Sequence, residues 1–160
     1  MQDQVLKVGL IGLGNMGRNH LRVLSMLKGF ELVFVADANA EVAAKAGQAH
    51  GIPGVVDPTP LLAGVDAVVI CTPTVTHADY IRLVAAHVKN IFVEKPLAAT
   101  LDEAQVIAAF AKDKGLNVQV GFIQRQRLNN VGVLAEDPLN LAGHFLIYVH
   151  PRSQNQQVWA

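Results

Sequence analysis

The reading turns on Val8 to His20, "VGLIGLGNMGRNH". An apolar run ends in Gly12, Gly14 and Gly17, and a segment with helical spacing follows. A strand, a glycine turn and a helix in that order can cradle a pyrophosphate. In such a turn Gly12 permits the tight bend and Gly14 lets the backbone approach the phosphates. Gly17 lets helix and strand pack closely. The helix start then offers unpaired N–H groups and the positive end of its dipole. A plain glycine-rich connection has the same spacing, so the rest of the chain has to decide.

Outward from that turn, apolar runs of strand length alternate with segments of helical period. Strands are expected at Val5–Ile11, Glu31–Asp37, Asp66–Cys71, Ile91–Glu94 and Val118–Gly121, with a short one at most at Val55–Val56. Helices are expected at Asn15–Leu27, Glu41–His50, Thr76–Val88 and Leu101–Lys114, and one helical turn at Pro60–Leu62. Thr100 and Glu103 are spaced as a capping box for the last helix. The strands are nearly continuous in apolar residues, the mark of a parallel sheet covered on both faces. The expectation is a doubly wound α/β layer over residues 1–121, with ligands at the carboxyl ends of its strands. Residues 122–160 differ: a short helix near Leu128–Ala135, a turn at "EDP" and an alternating run at His144–Val149. They read as the incomplete start of a second α+β domain.

Composition narrows the function classes. Thirteen basic and thirteen acidic residues cancel in a chain of 160 residues that is 51% hydrophobic. No basic run or stripe stands out, which argues against nucleic acid or an anionic membrane as partner. No apolar stretch approaches the roughly 20 residues of a membrane span. The opening "MQDQVLK" lacks the apolar region of a signal peptide. A single cysteine, Cys71, allows no intrachain disulfide and suits a reducing compartment. A soluble cytoplasmic protein is expected, with no metal site.

Asp37 ends the second expected strand, about 20 residues beyond the glycine fingerprint, where an acidic residue accepts hydrogen bonds from a ribose 2′-OH. A turn or helix-capping aspartate fits "DANA" as well. A 2′-phosphate about 4 Å from this carboxylate meets repulsion on the order of 4 kcal/mol at an effective dielectric of about 20, before screening. Ala38 and Asn39 follow, not an arginine. NAD is therefore expected in preference to NADP.

Two further stretches fall at strand ends. In "VVICTPTVTH", Pro73 ends a strand, Thr72 and Thr74 bring hydroxyls to the mouth of the sheet, and His77 opens the next helix. His77 can equally be a surface or capping histidine. In "FVEKPL", neighbours on a strand point to opposite faces, so Glu94 and Lys95 share a side only if the strand bends. Pro96 ends the pairing. Lys95, at the carboxyl end of a parallel strand, can steer or protonate a substrate oxygen; an exposed ion pair at a strand end is the other reading.

"GLIGLGNMGRNH", "CTPTVTH", "VEKPL" and "VGFIQRQ" occur in the order and spacing of the glucose–fructose oxidoreductase / inositol dehydrogenase / MocA family, which the chain resembles over residues 5–150. The EKP tripeptide is the most discriminating element. The resemblance implies that Gly12, Leu13, Gly14, Asn15 and Met16 form the phosphate loop and that Asp37 meets the adenosine ribose. It implies that Thr72, Pro73 and His77 run along the cofactor, that Glu94 contacts its side of the cleft, and that Lys95 is the active-site lysine. In such enzymes the peptide before the EKP proline is often cis, which would turn Lys95 into the cleft. Arg125 sits near a family arginine, but "QRQRLNN" departs from the usual ending there. His20 matches a family histidine and is read as helix packing.

Family members are longer, and their second domain, an open and mostly antiparallel sheet, supplies the substrate pocket. Its usual histidine has no match here; His144 and His150 lack the right neighbours. The implied function is the cofactor-binding half of an NAD(P)-dependent oxidoreductase acting on the CH–OH group of a sugar, polyol or related small molecule. The chain alone is expected to bind cofactor with little or no turnover. The run "AGHFLIYVH" presents an apolar face and an unpaired strand edge, expected to disorder, to fold back on the α/β layer or to pair with another copy. A homo-oligomer is expected. The alternative is a non-catalytic module that senses NAD(H) or assembles with a partner. A third reading is a site for another adenine ligand, such as coenzyme A.

Overall fold

Six short apolar segments pair side by side in the computed structural model, which describes residues 5–121. They are β1 (Leu6–Ile11), β2 (Phe30–Ala36), β3 (Gly54–Val55), β4 (Ala67–Ile70), β5 (Asn90–Val93) and β6 (Asn117–Val120). Every pairing is parallel, in the order β3-β2-β1-β4-β5-β6. Four helices connect them: α1 (Asn15–Leu24), α2 (Ala40–His50), α3 (His77–Ala85) and α4 (Leu101–Lys114). Short 3-10 segments, Thr59–Gly64 and Thr74–Thr76, precede β4 and α3. This is the doubly wound α/β layer that the continuous apolar strands imply.

Each face of the sheet carries its own apolar cluster. On one, Val8, Leu10, Val35 and Val69 pack with Leu21 and Leu24 of α1. On the other, Ile11, Phe34, Val68 and Ile70 pack with Ile81 and Val84 of α3 and Ile107 of α4. The β1–β2 register shifts between Val8, opposite Leu32, and Gly9, opposite Phe34. Phe34 is fully buried, and its ring occupies the place where a Cβ on Gly9 would stand.

Helix ends follow local chemistry. Asn39 caps α2 by accepting from the Glu41 and Val42 N–H groups, and Gly51 closes that helix at φ 66°. Thr100 caps α4 by accepting from the Glu103 N–H. The Glu103 carboxylate accepts from the Ala99 N–H, one residue before the donor that a full capping box uses. α1 stops at Leu24, short of the expected Leu27, where the Ser25 hydroxyl donates to the Leu21 carbonyl at 2.6 Å. α3 is likewise shorter than expected: a 3-10 turn takes its start, and it ends at Ala85 while Val88 still packs in the core.

On the α1 face beyond β4 lies an apolar groove, lined by Val8, Leu24, Val69, Phe92 and Gln119 among others. The buried Gln119 amide nitrogen has no hydrogen-bond partner among the described residues. No described helix is long and apolar enough to cross a membrane. The expectations for Leu128–Ala135, "EDP", His144–Val149, Arg125, His144, His150 and a second domain over 122–160 lie outside the described residues.

Removing the Phe34 ring leaves a void between β2, Gly9 and the α3 side. Phe34→Ala should cost about 3–5 kcal/mol, read as a lower urea midpoint at unchanged slope.

Candidate functional site

The strand order reverses between β1 and β4, so the crevice at their carboxyl ends is where an open α/β sheet accepts a ligand. Its edge is the turn from β1 to α1. Gly12 has φ 92°, and a Cβ there would stand 2.6–2.7 Å from backbone atoms of Cys71 and Thr72. No side chain fits. A Cβ on Gly17 would collide with the Gly12 carbonyl. These two glycines are required by the fold's own contacts. Gly14 is different: its φ is −63°, and a Cβ on it would meet nothing within 4 Å. Among the described residues, nothing closes that side of the backbone.

Gly14 is also the N-cap of α1, and neither a capping side chain nor an acidic first-turn residue serves that helix start. The first-turn N–H groups have no carbonyl four residues back to bond. Arg18 bonds the exposed Asn15 side chain at 2.8 Å on the outer side. Met16 is half-buried beside Gly17, and Leu13 is buried. An anion set against Gly14 would meet open N–H groups and the positive end of the helix dipole.

Asp37 lies at the rim of this turn. Its Oδ2 accepts the Leu13 N–H at 2.8 Å and its Oδ1 accepts the Asn39 N–H at 2.9 Å. The carboxylate therefore braces the turn from the end of β2, and its remaining lone pairs can accept from a ribose diol. Of the readings left open by the sequence, the turn role is present in the Asn39 bond. The helix-capping role belongs to Asn39 instead.

On the β4 side, Thr72 is half-buried and Pro73 exposed. The Thr76 hydroxyl lies 2.9 Å from Thr72 Oγ1 and 2.7 Å from the Pro73 carbonyl. His77 is no surface residue: it is 1% exposed. Its Nε2 faces the Thr72 carbonyl at 2.9 Å and its Nδ1 the Leu97 carbonyl at 3.2 Å. His77 thus ties the segment after β4 to the segment after β5 from behind the crevice wall.

Glu94 and Lys95 follow β5 and part company. Glu94 is buried and Lys95 exposed, and the Lys95–Pro96 peptide is cis. Glu94 Oε1 meets His20 Nε2 at 2.7 Å, and Glu94 Oε2 accepts the Lys95 N–H at 3.1 Å. The His20 bond, against the opposing effect of burial, holds the Glu94 carboxyl below its ordinary value. Burial, reinforced by the Glu94 charge, pushes the Cys71 thiol far up, so it stays protonated beneath the turn. The His20–Glu94 contact is what sequence reasoning missed. A signal existed: His20 is four residues before Leu24, on the inward side of α1. Among the described residues no three His, Cys, Asp or Glu side chains group as a metal site.

Residues 6–122 match the family model described as an oxidoreductase family with an NAD-binding Rossmann fold. Over 129 residues the chain is 38% identical to scyllo-inositol 2-dehydrogenase (NAD(+)) of Bacillus subtilis, covering 78% of this chain and 37% of that protein. UDP-N-acetylglucosamine 3-dehydrogenase GnnA from Acidithiobacillus ferrooxidans superposes with a TM-score of 0.69 at 32% identity, over 79% of this chain and 43% of that one. Scyllo-inositol dehydrogenase from Lactobacillus casei, solved with bound NAD(H) and scyllo-inositol, gives 0.68 at 25% identity, over 76% and 37%. The chain thus spans well under half the length of these relatives. With the glycine turn, the bracing aspartate and the EKP segment arranged as described, the chain belongs to the Gfo/Idh/MocA oxidoreductase family through its NAD-binding Rossmann domain.

Proposed function

We propose that this chain supplies the cofactor site of an NAD-dependent dehydrogenase acting on the CH–OH group of a polyol or sugar. The observation that carries the reading is Gly14. Its backbone conformation and surroundings tolerate a side chain, yet its open face borders the uncapped start of α1. That is a cradle a Cβ would fill, and a pyrophosphate fits it. Gly12, Leu13, Gly14, Asn15 and Met16 would hold the phosphates, and Asp37 would accept from the adenosine ribose. Thr72 and Pro73 would line the cofactor, with His77 holding that wall from behind and Glu94 lying below Lys95.

When bound, NAD would supply the hydride chemistry. Lys95, exposed at the carboxyl end of β5, would hold the substrate oxygen and take part in moving its proton. In this reading residues 1–121 form the cofactor domain, and residues 122–160 begin the substrate and oligomerisation domain. The relatives support the substrate class: one named for an inositol, another for a nucleotide sugar.

Calorimetric titration tests the cofactor choice. NADH should bind at least tenfold more tightly than NADPH, a difference of about 1.4 kcal/mol or more, and Asp37→Ala should narrow the ratio. Tighter NADPH binding would remove the assignment. A second variant addresses the turn itself. Gly14→Val should leave folding stability within about 1 kcal/mol, the range of a changed N-cap, while weakening NADH binding at least tenfold. Native-like affinity in that variant would mean that the pyrophosphate lies elsewhere.

A further inference from the structure

Among the described residues, Glu94 is the one buried carboxylate. A carboxylate withdrawn from water needs its oxygens bonded. Both are. Oε1 meets His20 Nε2 at 2.7 Å, and Oε2 accepts the Lys95 N–H at 3.1 Å. Because a carboxylate only accepts, His20 Nε2 carries the hydrogen. The His20 ring leans on Phe92, with centroids 5.3 Å apart at 60°. Room for the group comes from the end of β6, where a Cβ on Gly121 would stand 3.2 Å from Glu94 Oε1.

The two arms of this carboxylate belong to different parts of the candidate site. His20 projects from α1, the helix whose first residues follow the phosphate turn. The Lys95 N–H is the first peptide donor beyond Glu94, at the start of the EKP bend. Residues 74 positions apart in the chain are thereby joined through one buried group. A charge-assisted bond of this length is short, strong and poorly screened, unlike an exposed ion pair.

We propose that His20 is a positioning residue for Lys95: through Glu94 it fixes the lysine backbone relative to the turn at the start of α1. The proposal rests on the reading of that turn and of Lys95 given above. It assigns His20 a task beyond helix packing, that of keeping the cofactor helix and the reacting lysine at one spacing.

The link depends on Glu94 being ionised. Foremost among the influences, the His20 bond lowers the Glu94 value; burial raises it, and the charges of His20 and Lys95 and the Lys95 N–H lower it further. Among the described residues the groups facing it are His20 from α1, the Cys71 thiol from the end of β4, and Lys95. The end of β6 brings Gly121 and no charge. The link is therefore present above the lowered Glu94 value and lost as pH falls through it.

The test is an NMR titration of the isotopically labelled full chain, following the Glu94 carboxyl carbon and the Lys95 amide proton. In the native chain both signals should move together, with a midpoint below about 4.3, the ordinary glutamate value. In His20→Ala the shared midpoint should rise by at least half a pH unit. In His20→Gln, which retains an N–H donor, it should lie between the two. Core amides such as those of Phe34 and Val69 report that each variant is folded. Added NADH should shift both the Gly14 and the Lys95 amides of the native chain. In His20→Ala the Lys95 response should fall by half or more while the Gly14 response persists. A folded His20→Ala with an unchanged midpoint and an unchanged Lys95 response overturns the proposal. If NADH moves no signal at Gly14 even in the native chain, the cofactor reading fails instead, and the titration still judges the His20 link.

Discussion

The backbone of the β1–α1 turn lies against the end of β4 at a distance that excludes any side chain. Gly12 is pressed on Cys71 and Thr72, and Gly17 on the Gly12 carbonyl. This double contact brings the start of α1 over the point where the strand order reverses. Were either glycine replaced, helix and strands would have to separate, and the helix start would no longer face the crevice. The aim of the helix dipole follows from that approach.

Around this contact the chain spends its polar groups on bracing. Asp37 reaches from β2 to the Leu13 N–H. His77 spans the carbonyls of Thr72 and Leu97, and Glu94 spans His20 and the Lys95 N–H. Each joins segments that leave different strands, so the loops at the carboxyl edge are held to one another as well as to the sheet. Functional loops gain precision when a rigid scaffold and a supporting set of hydrogen bonds both constrain them. The interior supplies the rigidity through two apolar clusters, and the edge supplies the alignment.

What the sequence made legible was local. The glycine turn, Asp37 and the parallel sheet follow from spacing and from continuous apolar runs, because a bend's sterics and a strand's burial involve neighbours in the chain. The Asn39 cap and the early stop of α1 at Ser25 were within reach of the same reasoning, yet they depend on which of several competing side-chain bonds wins. His77 and His20 were harder. His77 stands beside residues that suggest a surface position, and its burial comes from the Leu97 segment. The spacing of His20 to Leu24 within α1 signals an inward position, but its partner Glu94 lies just past β5, 74 residues on, and no pattern within α1 names it. The resemblance to a known family pointed to the cis peptide before Pro96, which periodicity alone left open. The assignments on residues 122–160 lie outside the described residues.

The chain's sole cysteine sits under the turn, buried, its thiol kept in the protonated form by its surroundings. Alkylating reagents attack the thiolate and need a path to the sulfur. In this molecule the thiolate is disfavoured and the sulfur is largely withdrawn from solvent. The rate at which a maleimide consumes Cys71 should therefore report opening around the β1–α1 turn, with no engineered label, and a ligand clamping that turn should slow it.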